Sequence, residues 1–362
     1  MGDARPGDGE PGTVRTVLPN GDLSILLGTL AGGEEGHRRR ALERASRAAM
    51  FWPVEAAEHV EAGGDLTDLA SVGPWVAARI TELLEAEPVV PEPDELRRDF
   101  LTLAQARRAL AEHPGWADGL RGDLQMHTTY SDGALDVADM VEAASAYSYA
   151  FVAITDHSKS LKIAHGMDEE RLARQGEEIA VLNDGSAAGG TRALRGIEMD
   201  VFENGSGDMD PDALARLDIV LGAFHTDLRV TEDRTDRYVA ALANPTVHVL
   251  AHPRTRKYGR RLGLRADWPR VFAEATLLDK AVEIDASPDR QDLNVELLKL
   301  ARDEGTLISI GTDAHHPVEL GFIEFGLAAA AIAEIPRERI LNYGTVEEVL
   351  EWTASLRDRA PG

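Results

Sequence analysis

The chain has 362 residues, 43% of them hydrophobic, with a formal net charge of -25 and no cysteine. This length and balance suit a soluble protein with one large and one smaller domain, and the missing thiols exclude disulfides and thiolate metal sites. The charge opposes non-specific DNA binding, and no apolar run nears the roughly 20 residues that span a bilayer, so a cytoplasmic protein with no membrane contact is expected.

Residues 1–22 are rich in Gly, Pro and charge, lack an apolar signal core, and are expected to form a disordered tail. Residues 23–87 carry Ala- and Leu-rich amphipathic segments broken at Gly32-Gly33 and Gly63-Gly64, the pattern of a small all-α domain. Within it, Leu66 to Trp75 leads into Val76-Ala77-Ala78-Arg79-Ile80 and resembles a helix-hairpin-helix. Such a turn can offer backbone N–H groups to a DNA phosphate, so weak DNA contact is weighed against plain packing. Residues 88–120 read as a proline-containing linker and a connecting helix from about Asp94 to Glu112.

From Arg121 to residue 355, apolar strand-like runs alternate with helical segments, which argues for parallel strands closing into a β/α barrel. Seven runs end in residues that bind or orient metals. They finish at Gln125-Met126-His127, Thr155-Asp156-His157, Gly196-Ile197-Glu198, Ala223-Phe224-His225, Ala251-His252-Pro253, Glu283-Ile284-Asp285 and Thr312-Asp313-Ala314-His315. In a barrel of this kind the strand C-termini share one rim, so these residues meet there. Imidazoles and carboxylates in this number exceed what one ion needs, and two or three divalent ions (Zn, Mn or Fe) are expected, with no organic cofactor. Such ions suit hydrolysis of a phosphoester by a metal-bound hydroxide.

Gly122-Asp123-Leu124-Gln125-Met126-His127, with Ser131-Asp132-Gly133 after it, then Thr155-Asp156-His157, Gly196-Ile197-Glu198, Phe224-His225, Ala251-His252-Pro253 and Thr312-Asp313-Ala314-His315, resemble in order the motifs of the PHP (polymerase and histidinol phosphatase) family. The resemblance is nearest to the C-terminal PHP domain of bacterial family X DNA polymerases. It implies a distorted seven-stranded β/α barrel with a trinuclear site. By that resemblance Gln125, His127, Glu198 and Asp313 surround one ion, Glu198, His225 and His252 a second, and Asp132, His157 and His315 a third. Asp132, His157, Glu198 and Asp313 are the residues expected to carry catalysis, and Asp123 and Asp156 to orient neighbouring histidines. Family members usually have His where this chain has Gln125, so the first ion is expected to be the most weakly held.

No polymerase palm separates the helical segment from the barrel, and no lysine precedes Lys159. Neither polymerase nor Schiff-base lyase chemistry is therefore expected of these segments. The basic run after the fifth motif supplies Arg254, Arg256, Lys257 and Arg260 as candidate substrate contacts, with Lys159 from the loop after the second. The expected function is hydrolysis of a phosphomonoester or terminal phosphodiester, 3′-5′ exonuclease-like in one form. The alternatives are a small-molecule phosphatase of histidinol-phosphatase type and a catalytically impaired scaffold or nucleic-acid-binding module. The expected partners are a phosphorylated small molecule or a nucleic-acid end.

Overall fold

The computed structural model describes residues 18–86, 88–185 and 190–359, so most of the expected tail lies outside the described residues. The chain divides into two compact units, Met1–Glu92 and Pro93–Gly362. Among its described residues the first holds four α-helices: α1 (Asn20–Gly32), α2 (Gly36–Ala49), α3 (Ala56–Glu61) and α4 (Pro74–Ala86). Helix α1 thus begins inside the segment expected to be tail. Leu23 and Leu27 from α1, Leu42 and Ala45 from α2, and Val76 and Ile80 from α4 recur at helical spacing and close around Trp52. The hairpin-like segment holds one 3₁₀ turn, Leu66–Asp68, before a bend with Ser71 at φ 65° and then α4. Its first arm is therefore a single turn.

Helix α5 covers only Leu103–Glu112, shorter than the span from Asp94 that the sequence suggests. A 3₁₀ turn at Glu95–Arg97 ends there, Asp99 takes φ 62°, and the helix restarts where Thr102 and Gln105 form a capping box. Ala106 and Ala109 of α5 pack against Phe325 and Ala328 of α12 (Ile323–Ile332).

Seven strands follow, all parallel and in sequential order: β1 (Gly122–Met126), β2 (Phe151–Ile154), β3 (Arg192–Asp200), β4 (Ile219–Ala223), β5 (Val249–Leu250), β6 (Ala281–Asp285) and β7 (Leu307–Gly311). They are almost entirely buried, as strands covered on both faces must be. Helices α6 (Val137–Ser145), α7 (Glu169–Gly185), α8 (Pro211–Leu214), α9 (Thr235–Ala243), α10 (Trp268–Leu277) and α11 (Val295–Asp303) connect them in turn. Helix α13 (Val346–Asp358) ends the described chain. None of the described helices is long and apolar enough to cross a membrane.

The barrel is distorted at two places. The nine-residue β3 pairs with β2 through Arg192–Arg195 and with β4 through Gly196–Asp200, which carries its last residues to the rim. Between β1 and β7 the chain bonds backbone to backbone only at the rim, where Asp313 donates to the Gln125 carbonyl at 3.1 Å and His127 to that of Ala314 at 2.8 Å. Lower down, the buried Asn342 amide fills the gap: its Oδ1 accepts from the Ile310 N–H at 2.7 Å, and its Nδ2 donates to the Gly122 and Ile310 carbonyls at 2.8 Å each. One side chain satisfies groups that a continuous ladder would have paired.

Candidate metal centre

The side chains at the strand ends converge on Glu198, which projects from β3 and is 1% exposed. Its Oε1 lies 2.6 Å from His252 Nε2 and 3.0 Å from His225 Nε2, and its Oε2 lies 3.2 Å from His157 Nδ1 and 3.4 Å from His127 Nε2. His127 Nε2 also stands 2.9 Å from Asp313 Oδ1. On the outer side, Asp132 Oδ1 is 3.3 Å from His315 Nε2 and 3.6 Å from His157 Nε2. His127 and His315 stack with ring centroids 4.3 Å apart. Donor atoms within 4.8 Å of one another form three overlapping groups: His127, Glu198 and Asp313; His157, Glu198 and His225; and His127, Asp132, His157 and His315. The structure thus brings together His127, Asp132, His157, Glu198, His225, His252, Asp313 and His315.

Local backbone chemistry places them. Gly133 lets the loop after β1 fold back, since a Cβ there would stand 2.5 Å from the His127 carbonyl; this returns Asp132 to the rim. Gly311 makes room for Gln125 and Glu283 side by side, where a Cβ would meet Glu283 Oε1 at 2.5 Å and Gln125 Cβ at 2.6 Å. His252 and Asp313 sit at φ 25° and 52°, left-handed conformations that cost on the order of 1–3 kcal/mol each and concentrate at functional sites.

The donor set fits divalent ions on its own evidence of packing and charge. Buried His252 Nδ1, Gln125 Oε1 and Glu283 Oε1 have no hydrogen-bond partner, an expensive state in an ordinary core. Burial would lower the imidazoles of His225 and His315, yet Asp200 and Glu198 lift the first to about 9, and Asp132 and Asp313 lift the second to about 10. Burial outweighs Glu198 at His157 and pushes it down to about 3. Carboxylates packed this densely against imidazoles call for positive charge, as N/O-ligated ions supply.

Gln125 does reach the centre: its Nε2 donates to Glu198 Oε2 at 3.1 Å. An amide N–H turned to the shared carboxylate competes with a ligand role there. Asp123 and Asp156 do different work from the expected orientation of histidines. Asp123 accepts from the backbone N–H groups of Gln125 and Thr312, both at 3.1 Å, and so ties β1 to the segment after β7. Asp156 accepts from Thr128 N–H at 2.8 Å, from its hydroxyl at 2.7 Å and from Gln175 at 2.6 Å, fastening the loop that carries Asp132. The carboxylate that orients a histidine is Asp200, two residues past Glu198 on β3, with Oδ1 2.5 Å from His225 Nδ1.

The basic loop also departs from expectation. Arg256 is 3% exposed; its guanidinium donates to the carbonyls of Asp99, Arg290 and Gln291 at 2.7–2.8 Å and lies 3.9 Å over the Phe100 ring. It is spent inside the fold and is not a substrate contact. Lys257 pairs with Asp289 at 3.0 Å, Lys159 with Glu169 at 2.5 Å, and Arg254 donates to the Leu262 carbonyl at 2.7 Å. Arg260 is exposed. Sequence reasoning missed Arg290, whose Nη2 lies 3.3 Å from Asp313 Oδ2 and whose Nε lies 3.4 Å from Asp285 Oδ2. The available signal was a lone arginine five residues beyond the acidic end of β6.

Residues 123–259 match the family model described as PHP domain. The DNA polymerase/3'-5' exonuclease PolX of Bacillus subtilis (strain 168) is 38% identical over 231 residues, 64% of this chain and 40% of that protein. A Serratia proteamaculans (strain 568) protein named "Probable phosphatase" is 28% identical over 236 residues, 61% of this chain and 89% of its own. "Probable phosphatase YcdX" of Escherichia coli (strain K12) is 26% identical over 226 residues, with the same coverages of 61% and 89%. The match therefore spans less than half of the Bacillus relative and most of each phosphatase-named one.

Proposed function

Since this chain belongs to the PHP domain family, we propose that it is a metal-dependent phosphoesterase that hydrolyses a phosphomonoester or a terminal phosphodiester. The observation that carries this reading is the convergence of three overlapping donor groups, two of them sharing Glu198. His127 and Asp313 would hold one ion with Glu198, His225 and His252 a second with it, and Asp132, His157 and His315 a third. Bound ions would supply Lewis acidity and activate water near neutral pH.

The chain's own residues define the rest of the work. Glu198 gathers the imidazoles about one carboxylate, and Asp200 fixes the His225 ring so that Nε2 faces Glu198. Asp156 and Gly133 hold the Asp132 loop over the rim. Buried Glu283 receives the His252 backbone N–H at 2.8 Å, and burial raises its carboxyl well above the usual carboxylate range.

A 3′-5′ exonuclease-like activity is supported by the name of the Bacillus relative, and a small-molecule phosphatase by the names of relatives matched over most of their length. The purified protein with Mn²⁺ or Zn²⁺ should release product from a panel of phosphomonoesters and 3′-labelled oligonucleotides, and Asp313→Ala should abolish it. Preference within the panel assigns the substrate class. Inactivity on every member would leave the impaired-module reading, with Gln125 as its basis.

A further inference from the structure

We propose that Arg290 is the phosphate anchor of this centre, binding the terminal phosphoryl oxygens of the substrate; the proposal rests on the phosphoesterase reading and assigns the residue that meets the substrate's charge. A phosphoryl group approaching the rim faces Asp132, Glu198 and Asp313. Among the described ion pairs of these three carboxylates, Arg290 is the permanently charged partner, the others being histidines. Of the cations expected for this task, Arg256 is engaged on backbone carbonyls, Arg254 on the Leu262 carbonyl, Lys257 on Asp289 and Lys159 on Glu169, while Arg260 is exposed.

The guanidinium is held by one edge. Nε faces Asp285 and Nη2 faces Asp313, while no described ion pair or hydrogen bond uses Nη1. The Arg290 side chain is 20% exposed, against 0% and 5% for Asp285 and Asp313, and it lies beside a candidate metal ligand. A planar fork with a free edge matches two phosphoryl oxygens.

Its support is rigid. The Arg290 N–H donates to the Ser287 carbonyl at 2.9 Å, and the Ser287 N–H donates to Asp285 Oδ1 at 2.8 Å. The Arg290 carbonyl receives Arg256 Nε at 2.7 Å. The basic loop thereby serves the site indirectly: its buried arginine fixes the backbone that presents the anchor.

The test is calorimetric titration of inorganic phosphate into the Zn²⁺-loaded full chain, comparing the parent with Arg290→Gln and Arg290→Lys, with metal content per chain measured on each sample. Loss of a charge-assisted contact should weaken phosphate binding roughly 10- to 100-fold in Arg290→Gln, and less in Arg290→Lys, with metal content unchanged. On any ester turned over, KM should rise more than kcat falls. Phosphate affinity indifferent to both substitutions, no phosphate binding by the parent, or metal loss that accounts for the weakening would overturn the anchor; the last would make Arg290 a positioning residue for Asp313. If Arg290→Gln does not fold, Arg290→Lys reads the same quantities. Arg290-dependent phosphate binding without hydrolysis of any ester would count against the phosphoesterase reading and leave the anchor standing, whereas hydrolysis with phosphate affinity independent of Arg290 would do the reverse.

Discussion

The helical unit and the barrel rim differ in how far they pair their buried polar groups. In the helical unit they close on one another: Asn20 donates to the Val54 carbonyl and accepts from the Ala56 N–H, both at 2.8 Å, while Ser24 and Ser46 exchange hydroxyl-to-carbonyl bonds at 2.7 and 2.6 Å. At the rim, imidazoles and carboxylates crowd together and several buried atoms have no partner. Among the described residues the helical unit leaves little buried polar capacity unmet, whereas Gln125, His127, His157, His225, His252, Glu283 and Asp285 all keep buried atoms without a hydrogen-bond partner. Unmet hydrogen-bonding capacity at the ends of five strands, β1, β2, β4, β5 and β6, marks a place built for ligands.

That contrast can be broken from either side. Asp313→Ala should cost the most, on the order of a thousandfold in hydrolysis with lost metal, because it removes a group that also meets His127 and Arg290. Metal analysis and rates on the best ester check it. Leu27→Ala empties part of the helical core and should cost about 2–5 kcal/mol in unfolding of that unit, while metal content stays at the parent level; denaturant melts read beside metal content separate the two. Asp200→Asn should lower metal affinity roughly 10- to 100-fold by freeing the His225 ring, measured by chelator competition.

The smallest effect expected is a pH dependence away from the centre. His248 is buried at 1% exposure, its Nδ1 accepts from the Val220 N–H at 3.0 Å, and burial lowers it from 6.5 to about 3. Its folded pKa lies below the unfolded one, so the unfolded chain takes the proton first, and the contribution is lost as pH falls from 6.5 toward 3. By pH 5 this should amount to about 1–2 kcal/mol. His248→Asn keeps an acceptor and should remove that component, as urea melts at pH 7 and pH 5 would show.

The ligand pattern was legible because short apolar runs ending in His, Asp or Glu need only local reading, and the barrel aligns their ends automatically. The partners of those ligands were not. Arg256 reads as a substrate contact because nothing nearby in sequence reveals that the carbonyls of Asp99 and Gln291 enclose it. Asp123 and Asp156 read as orienters of histidine, yet what they hold is backbone that comes close only after folding. Asp200 and Arg290 escaped for the same reason, since their partners lie 25 and 23 residues away. Helix α5 was overextended because helical propensity continues across residues 94–102 while the backbone turns at Asp99.

The seam between β1 and β7 gives the candidate centre a second task. A hoop closed at this seam by two backbone bonds at the rim, the Asp123 carboxylate and the Asn342 amide, in place of a continuous ladder, should open there first. His127 follows the first strand and Asp313 the last, so an ion held by both would rivet the two ends of the hoop together. Stripping it should loosen the whole ring, quickening amide exchange along that edge and joining the chemistry of the rim to the integrity of the barrel.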